Sequence, residues 1–112
     1  MEEYLSQLLK QNLDIPCYYI TRRNNSKMPC IIYDFIETPH SSSDDLEETT
    51  HFEVFFNIFA ESSEFITIKR NLMKILSNAG FNKKIVPQPV YMDDLDCFQQ
   101  ALQYSKILEY KI

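Results

Sequence analysis

The order of patterns between residues 50 and 80 is the feature that most constrains how this chain can fold. Residues 50–60, THFEVFFNIFA, alternate as a β-strand does, and a polar joint, ESSE, follows at 61–64. A helical pattern then runs from about Phe65 to Ala79 and stops at Gly80, the only glycine in the chain. No catalytic motif accompanies this order of strand, joint and helix. We therefore expect a small domain that acts through its surfaces.

Length and composition set the class of protein. A chain of 112 residues with 45% apolar residues is long enough for one domain with its own core. The formal charge of −5 argues against a general nucleic-acid binder, because phosphate contacts need a basic surface. No apolar run reaches the roughly 18 residues of a membrane span, and the N-terminus does not resemble a signal peptide. We expect a protein that is made in a cytoplasm and stays there until it is assembled.

The alternation of patterns along the chain predicts the elements. The predicted helices span 2–13 and 62–79, and the predicted strands span 17–21, 28–38, 50–60, 85–92 and 97–112. Ser62 or Ser63 is expected to cap the second helix, and Pro39 is expected to close the second strand before an acidic loop at 40–49. Turns are predicted at 22–27 and at 82–84. We therefore predict an α+β domain over residues 1–112, with a mainly antiparallel sheet of four to five strands and two helices packed on one face.

The strand at 50–60 is unusual because its second face is also apolar. Phe55 and Phe59 lie on that face, opposite the residues that we assign to the core. A strand that is apolar on both sides is expected to be covered on both sides. The cover on the second side is predicted to be either a helix or another subunit.

Cysteine and glycine usage indicates no reactive site. The three cysteines, Cys17, Cys30 and Cys97, are odd in number and widely spaced, which predicts reduced thiols that line the core. None of them lies in the polar, strained turn that a nucleophile needs. A phosphate-binding loop rich in glycine is excluded by the single glycine.

Two acidic groups are the candidates for a metal site. His40 and His51 flank the acidic loop, and Asp93, Asp94 and Asp96 form a turn-like cluster. The histidines are not paired on one element, and the aspartates lack a nearby partner lysine. We interpret both groups as solvated and predict no catalytic residue, no metal and no cofactor.

Two loops carry opposite charges. The basic loop contains Arg22, Arg23 and Lys27, and the acidic loop contains Asp44, Asp45, Glu47 and Glu48. In a monomer these are two solvated loops. In a ring of identical subunits, the basic loop of one copy can meet the acidic loop of its neighbour, which is a heterologous contact. We therefore predict a subunit interface from these loops together with Phe55 and Phe59.

The whole order of patterns resembles that of the small tail-terminator, or tail-completion, proteins of long-tailed bacteriophages. The matching features are an N-terminal helix, an IPCYYITRRNNSKMPCIIYDFIET hairpin, an acidic loop, THFEVFFNIFA, a charged helix that ends NAGF, and a C-terminal pair of strands. In that group, a proline and an II-Y strand precede a strand of F-x-V-x-x-x-I-F character and a helix with an AGF-like stop. The resemblance covers nearly the whole chain.

The resemblance implies a structural role in the virion. Such proteins are α/β domains that form a hexameric ring on the last ring of the tail tube, stop tube growth and present a surface for joining the head. The implied partners are further copies of the chain, the tail-tube protein and a head-closure or connector protein, with no membrane and no sequence-specific nucleic acid. Pro87 and Pro89 exclude the segment 85–92 from the centre of a sheet, so we expect it to be an edge strand or an arm that reaches a neighbour.

Three alternatives stay open on the sequence. The first is another head–tail joining component, such as a head-closure or adaptor protein. The second is a cytosolic protein-interaction module with no virion role. The third is a metal-dependent enzyme that uses the acidic clusters.

Overall fold

The structure is a computed structural model that describes residues 1–19, 29–42, 47–94 and 96–111, with the backbone alone at 39–42, 47–48 and 109–111. These ranges contain two helices and six strands. The helices are α1 (Glu2–Asn12) and α2 (Ser62–Asn78), and the strands are β1 (Cys17–Tyr19), β2 (Cys30–Ser42), β3 (Glu47–Ala60), β4 (Asn82–Lys83), β5 (Val90–Met92) and β6 (Cys97–Lys111). The predicted α+β class is confirmed.

The six strands form one mixed sheet with β3 at its centre. The strand order is β1–β2–β3–β6–β4, and β5 also pairs with β6. β2 and β6 both run antiparallel to β3, so that Phe56 of β3 lies between Tyr33 and Leu102. Pairing on both sides satisfies the backbone donors and acceptors of β3 without water. This position allows the strand to be apolar on both faces.

The core lies between one face of the sheet and the two helices. The buried side chains are Phe52, Val54, Phe56, Ile58 and Ala60 of β3, Leu5 and Leu9 of α1, and Phe65, Ile68, Leu72 and Leu76 of α2. They belong to a single hydrophobic cluster. Each large member stabilises the fold by about 1.5–3 kcal/mol through burial. The predicted packing of both helices on one face is confirmed.

Three strands are much longer than the helix layer that covers them. β3 has 14 residues and spans about 46 Å, whereas α2 has 17 residues and spans about 26 Å. The molecule measures 53 × 25 × 23 Å, and its radius of gyration of 15.5 Å exceeds the roughly 13 Å of a compact chain of this length. Phe52 is the last core residue of β3 at this end. Residues 38–42, 47–51 and 107–111 therefore form a three-stranded arm beyond Phe52, in which Leu108 still packs against the core.

The first strand corrects the prediction of a hairpin. β1 runs parallel to β2, with Cys17 beside Ile31 and Tyr19 beside Tyr33. An apolar alternation indicates the faces of a strand but not its direction, so the sequence pattern could not separate the two arrangements. The sheet therefore contains one parallel pair, and it has six strands instead of the predicted four or five.

Pro39 does not close β2, and the predicted acidic loop is shorter than expected. β2 continues to Ser42 and β3 already begins at Glu47, so most of residues 40–49 belong to strands. The register shifts between Pro39 and Ser41, as it does at a β-bulge. A bulge is one of the few places in a sheet that tolerate proline, because its missing N–H is not needed there.

α2 begins where predicted, but the expected serine cap is wrong. The N-cap is Glu61, whose side chain makes no capping hydrogen bond. Its carbonyl oxygen accepts a hydrogen bond from the Phe65 N–H at 2.9 Å. A capping residue must precede the first helical residue, and the helix already includes Ser62 and Ser63.

The end of α2 is fixed by a glycine and a lysine. Gly80 has φ +87, the left-handed conformation that the sequence predicts for it. Phe81 is buried, and its N–H donates to the Leu76 carbonyl at 3.0 Å. Lys106 Nζ donates to the Ala79 carbonyl at 2.7 Å and lies 5.2 Å from the centre of the Phe81 ring. The lysine thus ties the helix end to β6.

The outer edge of β6 is covered by two short strands. β4 pairs Asn82 with Ser105, where the sequence predicts a turn. Phe81 is held in the core, and this directs the residues after it along β6. The proline-containing segment that follows forms regular strand only in β5, and Gln100 Nε2 donates to the Pro87 carbonyl at 2.5 Å. The expected edge position of this segment is confirmed.

Candidate interaction surface

The face of the sheet opposite the helices is the main candidate for a functional surface, and we call it the open face. Over residues 30–38, 49–60 and 97–108, it consists of alternate residues of β2, β3 and β6. Its members away from the strand ends are Ile32, Asp34, Ile36, His51, Glu53, Phe55, Asn57, Phe59, Gln99, Ala101, Gln103, Ser105 and Ile107. Both helices that the structure describes pack on the other face.

Apolar side chains are prominent on the open face. Phe55 and Phe59 are half-buried there, whereas Ile36 and Ile107 are 56% and 47% exposed. An antiparallel sheet with one solvated face usually carries polar residues on that side. Aromatic and branched apolar residues at these positions gain about 25 cal/mol for each Å² that a partner removes from water.

The polar side chains of the open face form cross-strand hydrogen bonds. Gln99 Nε2 donates to Asn57 Oδ1 at 2.6 Å, and Gln103 Nε2 donates to Glu53 Oε2 at 3.2 Å. Within residues 30–38, 49–60 and 97–108, this face carries the carboxylates of Asp34 and Glu53 and no lysine or arginine. The surface is therefore ordered, partly apolar and acidic.

A second apolar feature lies on the helix side, at the edge formed by β5 and β6. It is a groove of about 230 Å³, which we call the α2 groove, lined by Ser62, Phe65, Ile66, Lys69, Pro89 and Phe98. The Phe65 and Phe98 rings lie 5.9 Å apart at its base, and Ile66 is 49% exposed. Its volume is below the roughly 300–1,000 Å³ of small-molecule sites, so it suits a single side chain better than a cofactor.

Only part of the predicted interface falls within the described residues. Phe55 and Phe59 share the open face, as their spacing predicts. Glu47 and Glu48 are the first two residues of β3 and pair with β6 in the arm, where the backbone alone is described. The remaining members, Arg22, Arg23, Lys27, Asp44 and Asp45, lie outside the described residues. The contact between charged loops thus stays a prediction.

The candidate metal ligands do not gather in the described part of the chain. No group of three histidine, cysteine, aspartate or glutamate side chains there has the arrangement of a metal site. Asp93 and Asp94 lie in an exposed turn, and Asp96 adopts a positive φ of 50. Asp96 Oδ1 accepts a hydrogen bond from the Tyr91 hydroxyl, which raises the pKa of Tyr91. This carboxylate therefore holds the hairpin between β5 and β6.

Two of the three cysteines are fully enclosed by the fold, as predicted. Cys30 and Cys97 are buried, and Cys17 is half-buried at the edge strand β1. Burial, followed by the proximity of Cys30, raises the pKa of Cys17 to about 11. A thiol with so high a pKa is a poor nucleophile at neutral pH.

Sequence reasoning missed the α2 groove and Ile36. The groove is assembled from residues that are distant in the chain, such as Phe65, Pro89 and Phe98, so no local pattern marks it. The sequence pattern of β2 does, however, indicate the position of Ile36. It has the same phase as Ile32 and Asp34 in β2, opposite to the buried Ile31 and Tyr33, which places it on the second face.

No protein-family model and no curated protein matches the chain. None of the helices in the described ranges is both long and apolar enough to cross a membrane.

Proposed function

We propose that this chain is a non-enzymatic structural protein of a long-tailed bacteriophage. It forms a ring, with six copies as the expected number, at the head-proximal end of the tail tube. There it stops tube polymerisation and helps to join the tail to the head. The class of assembly is taken from the resemblance of the residue order to tail-terminator proteins.

The open face is the observation that supports this function most. Phe55 and Phe59 occupy the second face of the central strand, while both described helices cover the first. A neighbouring subunit is a natural cover for such a face, because the centres of subunit interfaces are apolar and rich in aromatic residues. Assembly would then bury the apolar side chains of the open face that remain partly exposed after folding.

The size of the open face indicates that ring formation uses more than this surface. Three strands are about 14 Å wide, and ten residues of strand are about 33 Å long, so the face covers roughly 500 Å² in projection. A stable interface buries about 800 Å² on each partner. A ring contact therefore needs additional surface, which the arm and the α2 groove can provide.

Electron microscopy of particles assembled without this gene tests the proposal. We expect abnormally long tails that lack heads, because nothing stops the tube. Full heads that lose their DNA, beside tails of normal length, would instead assign the protein to the head side as a head-closure or adaptor component. Normal infectious particles would contradict any structural role in the virion.

A further inference from the structure

We propose that successive copies of this chain are joined head to tail by Ile36 of one copy entering the α2 groove of the next. This inference rests on the proposed ring and names the surfaces that join its subunits. The occupant of the groove is thus a second copy of the same chain.

The inserted side chain has the features of an anchor. Ile36 is the most exposed large apolar residue of the open face, with 56% of its surface accessible. Glu53 lies directly across from it on β3, and Asp34 lies two residues before it on the same face of β2. We call these three residues the acidic knob. An apolar tip beside two carboxylates needs a receptor that is apolar inside and basic at its rim.

The α2 groove is apolar inside and basic on the side where Lys69 lies, and the carboxylates of Glu61 and Asp96 line the adjoining pocket. Its walls are Phe65, Ile66, Pro89 and Phe98, and Lys69 is its only charged lining residue. The next residue, Arg70, is exposed on the same helix. The aromatic walls are held in place, since Phe98 packs against both Phe65 and Tyr91, with ring centres 5.9 and 5.4 Å apart. A rigid pocket loses little conformational entropy when it receives a side chain.

The positions of the knob and the groove require two copies. The knob lies on β2 and faces away from the helices, whereas the groove lies beside β5 and β6 on the helix side. β3 separates β2 from β6 in the sheet, so the two features lie toward opposite edges. One chain therefore cannot bring them together.

This arrangement predicts an assembly that grows beyond a dimer. The two surfaces differ, so each contact leaves one knob and one groove unused at the ends of the assembly. Further copies add at these ends, and the assembly closes into a ring where the rotation between neighbours suits closure. A symmetric dimer would instead join the same surface of both copies.

Charge adds selectivity to the contact. Lys69 and Arg70 face the partner's carboxylates when Ile36 is inserted, while a groove-to-groove contact would bring lysines together. Exposed ion pairs contribute modestly, so we expect Lys69→Glu to weaken self-association about two- to fivefold. Adding Glu53→Lys to the same chain should recover most of that loss. Sedimentation equilibrium measures the dissociation constants.

Disulfide crosslinking of the full-length chain is the decisive experiment. A variant with Ile36→Cys and Ile66→Cys, in a Cys17→Ser background, is oxidised with copper phenanthroline at concentrations up to millimolar. We expect a ladder of covalent dimers, trimers and larger species, because each copy can link to two neighbours. A mixture of the two single variants should give dimers only, and neither single variant alone should crosslink.

The control replaces Ile36→Cys by Ile85→Cys. Ile85 is 62% exposed and therefore reacts at least as readily by random collision. We expect its yield with Ile66→Cys to be at least fivefold lower. Equal yields from the two pairs, or no ladder at any concentration, would overturn the contact. Circular dichroism confirms that each variant is folded.

The crosslinking experiment and the gene deletion test the contact and the proposed function separately. A ladder together with normal particles from the gene deletion would support the contact and contradict the tail-terminator role. Long headless tails from the deletion, without any ladder in the crosslinking experiment, would support the tail-terminator role and contradict the contact.

Discussion

The two faces of β3 carry the same kinds of residue and differ in what covers them. Phe56 is completely buried under the helix layer, whereas Phe55, its neighbour in the chain, is half-buried on the open face. Hydrophobicity alone does not distinguish the two positions. Their relation to the helices does, because the two described helices cover only one of the faces. One face therefore forms the core, whereas the other carries apolar side chains that neither described helix covers.

Truncation of each phenylalanine tests this difference between the two faces and should give the largest effect. Phe56→Ala leaves a cavity in the core and should lower the free energy of unfolding by about 3–5 kcal/mol. Phe55→Ala should cost about 1 kcal/mol, since its side chain is already partly in water. Urea denaturation of the two purified variants measures both values. Equal losses would mean that the open face contributes to folding as much as the core does.

A smaller effect is expected where the helix layer is anchored to the covered face. Gly80→Ala places a side chain at φ +87, and the new Cβ would lie 3.0 Å from Lys106 Nζ. The left-handed conformation costs an alanine about 1–2 kcal/mol. Thermal and urea unfolding should show a loss of this size, while self-association of the folded protein stays unchanged. A neutral or stabilising effect would show that the helix end is not fixed by this turn.

Lys106→Met tests the same anchor from the sheet side. The substitution removes the hydrogen bond to the Ala79 carbonyl and the contact of the ammonium group with the Phe81 ring, and it keeps most of the side-chain length. We expect a loss of about 1 kcal/mol in unfolding free energy. Lys83→Met, at an exposed position of the neighbouring β4, is the matched control and should change stability by less than about 0.5 kcal/mol.

The smallest predicted effect concerns the edge of the covered face. The pKa of Cys17 is raised from the ordinary value of 9.0 to about 11, so the folded protein favours the neutral thiol over the thiolate. At pH 8 its thiolate fraction should be about a hundredfold lower than that of an exposed cysteine. Iodoacetamide labelling at a series of pH values, followed by mass spectrometry, measures the thiolate fraction of Cys17. A midpoint near pH 9 would mean that Cys17 is open to water.

The sign of the linked stability follows from that shift. The folded protein holds the Cys17 proton more tightly than the unfolded chain, so the thiol stabilises the fold at pH values below about 9. This contribution is lost as the pH rises from about 9 to about 11. The Cys17→Ala variant should show a shallower loss of stability over the same range.

The sequence predicted those parts of the fold that are set by local patterns. Alternation placed Phe55 and Phe56 on opposite faces of β3, and Gly80 marked the end of α2. Parts set by distant contacts were not predictable. The direction of β1 depends on its register with Ile31, and the continuation of β2 past Pro39 depends on a bulge that forms only against β3.

The candidate surface was predictable to a similar degree. The apolar second face of β3 was visible in the sequence, and the phase of Ile36 relative to Ile31 would have extended it to β2. The α2 groove was not visible, because three separate segments form it. Helical periodicity identifies the buried side of α2, but it does not show which exposed residue, such as Ile66, borders a cavity.

The most direct test of the central claim is tail length in particles complemented with a Phe55→Ser variant. The variant is expressed in a host infected with phage that lacks the gene, and its folding is verified by circular dichroism. If the open face joins the protein to its neighbours, negative-stain electron microscopy will show long tails without heads, although the protein is folded. Tails of normal length joined to heads would show that the open face does not take part in assembly.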